Sequence, residues 1–103
     1  MQAEELKGHL DSLILSVISS RPMHGYAVIE ELRSRSGGQL ALPEGTVYPA
    51  LHRLERLGLL SSSWSDGKRR RRVYALTRSG KRELSARRTR WHEFRRTIEA
   101  VLV

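Results

Sequence analysis

Five side chains that donate hydrogen bonds or carry charge, Thr46, Tyr48, His52, Arg53 and Arg56, interleave with Val47, Leu51, Leu54 and Leu57 in the stretch EGTVYPALHRLERLGLL. At the period of a helix the apolar four form one stripe and the five polar residues face the other way. Hydroxyls such as those of Thr46 and Tyr48 can donate to phosphate oxygens or base edges, and an arginine can grip guanine through two parallel bonds. A second concentration of charge follows in Lys68, Arg69, Arg70, Arg71 and Arg72. Of the 19 Lys and Arg, 13 lie between Lys68 and Arg96, opposed there only by Glu83 and Glu93. With a formal net charge of +8, this is an electrostatic footprint suited to a polyanion. A plain solvated helix face is the competing explanation for many of these charges.

Other chemistry finds little support. His9, His24, His52 and His92 share no metal-ligand spacing, no serine is paired with a recognisable base, and SGG at Ser36–Gly38 lacks the pattern of a phosphate loop. There is no cysteine, which removes disulfides, thiolate metal sites and a thiol nucleophile. We therefore expect no enzyme activity, no metal and no cofactor. No apolar run is long enough to span a bilayer, and MQAEELKGHL lacks the basic-then-apolar plan of a signal peptide. The expectation is a soluble cytoplasmic protein with no membrane partner.

The elements that must position these residues read as follows. Leu6, Leu10, Leu13, Ile14, Val17 and Ile18 recur at spacings of three and four, predicting a first helix over 6–18. SSRPMHG interrupts it, and a second helix runs from Gly25 to Arg35 with Val28, Ile29 and Leu32 inward. Tyr26, beside Gly25, is expected to pack. The opening stretch is the third helix. Its Pro49 is accommodated if Thr46 is the N-cap, which puts the proline in the first turn, where its missing N–H has no intrahelical partner in any case. Gly58 supplies the stop.

Two β-prone runs then flank Asp66-Gly67, a hairpin signal, with the basic cluster at the tip. Alternation puts Leu60, Ser62 and Trp64 on one face, with Trp64 closing the core beneath the hairpin. Thr77 can cap a last helix over about 78–102. In that helix Leu84, Trp91 and Ile98 are seven apart with Phe94 and Val101 between them, a heptad seam suited to a second copy of the chain. With 103 residues and no linker or repeat, the chain is expected to form one domain, with a core modest enough to make an oligomer plausible.

Three helices, a basic-tipped hairpin and a final helix are the order of a winged helix-turn-helix, a mainly α fold with a small β-hairpin (α+β). In such a unit the third helix presents its outer residues to the DNA major groove. LDSLILSVISSRPMHGYAVIEELR, GTVYPALHRLERLGLLSSSW and RRRRVYALTRSGKREL resemble the PadR-like transcriptional regulators, in the short, single-domain branch. The shared features are a Gly-Tyr after the first helix, a Tyr-Pro early in the third and a Leu-Thr leading into the last.

The resemblance implies a cytoplasmic homodimeric repressor, nucleoid-associated when bound to DNA. It would occupy a roughly palindromic operator in double-stranded DNA and in many members leave it for a small aromatic or drug-like ligand. It implies that residues 6–77 form the DNA-binding unit, with Tyr48 and Thr46 at the operator and Lys68–Arg72 along the backbone or in the minor groove. Residues 78–103 would form the dimerisation helix, through Leu84, Trp91, Phe94 and Ile98. Trp91 has two readings, dimer core or, together with the Trp91 of a second copy, the walls of a slot for flat ligands rimmed by Arg87, Arg88, Arg95 and Glu93. Tyr48 likewise is either a contact or a core-edge tyrosine. The alternative function is a winged helix that meets a protein or RNA and has no operator. The polar outer face of the third helix argues against protein docking, which would favour an exposed apolar anchor.

Overall fold

The computed structural model describes residues 3–6, 8–67 and 70–103. In chain order the elements are α1 (Ala3–Leu6), α2 (Leu10–Ser20), β1 (Met23–His24), α3 (Gly25–Arg35), α4 (Glu44–Arg56), β2 (Leu60–Trp64), β3 (Arg72–Leu76) and α5 (Arg78–Val101). The strands form an antiparallel sheet in the order β1-β3-β2. The fold is therefore mainly helical with a small sheet, as the residue pattern predicts, with an additional strand. Met23 and His24, read from sequence as part of a helix interruption, pair with Tyr74 and Val73. A two-residue strand carries no alternation to detect, so only its partner reveals it.

Helix α2 is central and packs on α3, α4, α5 and β3. That is why Leu15, outside the predicted stripe, is as fully buried as Ile14. The expected single helix from Leu6 is instead two: Gly8 takes a positive φ of 86° and separates α1 from α2. The core combines Ile14, Leu15, Val17 and Ile18 with Val28, Leu32, Val47, Leu51, Leu54, Leu60 and Tyr74.

The third helix starts earlier than expected. Pro43, not Thr46, is the N-cap, and its carbonyl accepts from the N–H groups of Thr46 and Val47 at 3.0 and 3.2 Å. Pro49 consequently lies inside α4 and leaves the Gly45 carbonyl without its helical donor. The stop is as read: Gly58 (φ 76°) donates to the Glu55 carbonyl at 3.0 Å and Leu59 to that of Leu54 at 3.0 Å, a Schellman turn. Leu57 is not part of the buried stripe. It is the helix C-cap, lies beyond the core and is 62% exposed.

The turn is welded to the last helix. Thr77 Oγ accepts from Gly80 N at 3.0 Å, capping α5 as anticipated, and donates to the Gly58 carbonyl at 2.6 Å. Leu84 is corrected from the seam to the protomer's own core, 3% exposed, because the first turns of α5 lie against α2. From Arg88 onward every residue of α5 is exposed, and the molecule measures 55 × 28 × 20 Å.

Candidate nucleic-acid interface

Helix α4 buries Val47, Ala50, Leu51 and Leu54. At 3.6 residues per turn the direction opposite that stripe is held by Gly45, Pro49, His52 and Arg56, all exposed. Among the described residues the side chains of His52 and Arg56 make no hydrogen bond or ion pair within the protein. Thr46 and Tyr48 sit on opposite flanks of this face and are half-buried. The Tyr48 ring lies over Gly25, so closely that a Cβ there would stand 2.7 Å from its Cε1. Gly25 is thus the residue that admits Tyr48. Arg53 Nη2 is ion-paired with Asp11 of α2, tying α4 to the central helix. One carboxylate oxygen leaves other guanidinium donors of Arg53 for an external acceptor.

The hairpin packs beside α4. Its arms align Leu60 with Leu76, Ser62 with Tyr74 and Trp64 with Arg72. Ser62 Oγ donates to Glu55 of α4 at 2.6 Å, so this face of the sheet looks at α4. The loop over 65–71 is longer than a two-residue turn, and is closed by Ser65 N donating to the Arg71 carbonyl at 2.8 Å. Lys68 and Arg69 lie outside the described residues; Arg70, Arg71 and Arg72 are all exposed. Trp64 does not close the core: it is 53% exposed, because the α4 core ends at Leu60 and Tyr74.

A cleft of about 530 Å³ separates the hairpin from the starts of α3 and α4, lined by Arg70, Arg71, Arg72, His24, Tyr48 and Glu44 among others. His24 Nδ1 accepts from Ala27 N at 3.2 Å, capping α3. Its Nε2 lies 3.0 Å from Arg71 Nη1. Burial, then the Arg71 and Arg21 charges, hold the imidazole below its ordinary range. The cap leaves the imidazole proton on Nε2, so the Arg71 contact places the hairpin beside α3 without a hydrogen bond there; neither feature is visible in the spacing of the histidines.

On α5, Trp91, Phe94, Ile98 and Val101 are exposed along one side. Trp91 meets His9 edge-on with ring centres 5.4 Å apart and lies 6.0 Å from Phe94. A groove of about 550 Å³ runs here between α5 and α1–α2, with Leu6, His9, Leu13, Leu84, Trp91 and Phe94 among its walls. Among the described residues its cations are Arg87, Arg88 and Arg90. Arg95 lies 4.0 Å from Glu99, and neither it nor Glu93 lines this groove. Sequence periodicity along α5 could not reveal His9, Leu6 and Leu13, which come from another helix.

A third helix carrying a free polar face, beside a hairpin with a basic rim, defines a winged helix-turn-helix. The family model described as Transcriptional regulator PadR-like family matches residues 14–86, and the chain belongs to that family. It is 40% identical over 87 residues to the transcriptional regulator Rv3488 of Mycobacterium tuberculosis, covering 82% of this chain and 78% of the relative. Among solved structures it is similar to a PadR family transcriptional regulator from Eggerthella lenta, with 32% identity, a TM-score of 0.86 and coverage of 96% and 86%. A PadR family transcription regulator from Clostridium difficile gives 30% identity and a TM-score of 0.82, covering 93% of this chain and 100% of that one. The protein is a transcriptional regulator, in a family whose members are regulators and not enzymes. No described helix is long and apolar enough to cross a membrane.

Proposed function

We propose that this regulator is a homodimer that binds a roughly palindromic operator and represses from it. The observation that carries the DNA reading is the outer face of α4, where His52 and Arg56 stand exposed without internal partners, beside the exposed arginines of the hairpin. Residues 6–77 are the DNA-binding unit. Within it His52 and Arg56 occupy the centre of the reading face, with Thr46, Tyr48 and Arg53 at its edges and the cluster Lys68–Arg72 on the backbone or in the minor groove. Residues 78–103 supply the dimer contact, from Trp91 onward, since apolar Trp91, Phe94, Ile98 and Val101 are exposed on one helix. Such a protein works in the cytoplasm, on the nucleoid.

The groove beside Trp91 supports a flat, partly apolar ligand that enters between α5 and α2 and releases the operator. The decisive experiment selects bound fragments from sheared genomic DNA and sequences them. One recurring palindromic motif, relaxed at one or two positions of each half in an Arg56→Ala variant, is the expected result. Fragments without a common motif would leave only non-specific attraction, and no retained DNA would turn the reading toward a protein partner.

A further inference from the structure

Two of the hairpin's arginines are held differently from the six described arginines that have a carboxylate partner. Arg33, Arg35, Arg53, Arg87, Arg90 and Arg95 each have a carboxylate within 4.0 Å. Arg70 and Arg72 instead lie against one indole: their guanidinium carbons are 4.9 and 5.2 Å from the centre of the Trp64 ring. Among the described residues neither has an ion-pair partner. The difference matters for a polyanion. A carboxylate neutralises the cation it orders, whereas an aromatic face orders the cation and leaves its charge unpaired.

The placement follows from the strand register. Trp64 is the last residue of β2 and Arg72, its direct partner, the first of β3, so their side chains share a face. That face continues Ser62 and Leu60, which look toward α4. The indole is exposed and contributes nothing to the main core, so packing does not account for a tryptophan there. Two like charges over one ring also repel each other, and a phosphate between them removes that repulsion.

We propose that Trp64 is a positioning residue for DNA binding: its indole holds Arg70 and Arg72 in order, with their charges free, for the phosphate backbone beside the recognition helix. This rests on the DNA-binding reading above. Immobilising a long side chain on binding costs roughly 0.5–1.5 kcal/mol, so ordering it beforehand should be worth about two- to tenfold in affinity per arginine.

The test is a double-mutant cycle on the full chain, read by fluorescence anisotropy with a labelled duplex of mixed sequence, because backbone contacts need no operator. Trp64→Leu should weaken binding by roughly the factor above, and the order Trp, Tyr or Phe, then Leu should follow the strength of the aromatic face. In an Arg70→Gln, Arg72→Gln background, Trp64→Leu should cost nothing more. Thermal melting of each variant selects those that fold like the wild type, and Trp64→Phe retains the cycle if the leucine variant does not. Equal losses in both backgrounds, or no loss from any Trp64 variant, overturn the proposal while DNA binding stands. A wild-type chain that binds no duplex at all refutes the DNA reading itself.

Discussion

Gly80→Ala should be disproportionately damaging for the addition of one methyl group. A Cβ at this position would stand 2.1 Å from the Leu59 carbonyl oxygen and 3.1 Å from Leu76 Cγ. The obstacle is backbone and belongs to the turn that ends α4, so the first turn of α5 must retreat by about 1 Å to restore an ordinary contact. That retreat pulls on the bonds from Thr77 Oγ to the Gly58 carbonyl and from Gly80 N to Thr77 Oγ. Overpacking costs about 1–3 kcal/mol and a lost cap about 1, while alanine in a helix returns about 1. The net is about 2 kcal/mol, or a fall in Tm of roughly 8–16 °C for a domain of this size.

The measurement is thermal unfolding followed by circular dichroism at one fixed protein concentration. Gly45→Ala is the matched control. It is also in a helix, nothing lies within 4 Å of its added Cβ, and its stability should be unchanged or raised. A Gly80→Ala variant that melts at or above the wild-type temperature would refute the claim that this contact fixes α5 on the turn that ends α4.

Three other outcomes are expected. Ile98→Glu puts an unpaired carboxylate on the proposed seam and should convert the proposed dimer to monomer in sedimentation, and an unchanged dimer would move the contact away from α5. His24 has a depressed pKa, so the folded state favours its neutral form. Its stabilisation is complete above about pH 6.5 and is lost as pH falls toward its lower folded value, where Nδ1 protonates and can no longer cap α3. His24→Asn keeps a cap acceptor without the titration and should flatten urea-unfolding stability as pH falls below about 6.5. Arg56→Ala should cost roughly 1–3 kcal/mol on the best operator and relax one or two of its positions, whereas equal losses on specific and random DNA would make Arg56 a backbone contact.

Much of the fold is legible before any coordinates. The Val28–Leu32 spacing, the Gly58 stop, the Thr77 cap and the Asp66-Gly67 hairpin all depend on residues a few positions apart, and the structure contains each of them. The polar face of α4 is legible for the same reason, since a helix's period is a local property. What sequence alone misplaces depends on partners distant in the chain. Met23 becomes strand only because β3 lies beside it, and Leu84 is core only because α2 covers it. Trp64 is left in solvent with two arginines because the core ends at Tyr74. Arg53 meets Asp11 and Trp91 meets His9 only when the helices have packed. Periodicity tells which way a side chain points from its own element. What stands there to meet it is decided by how the elements pack, and no spacing along the chain encodes that.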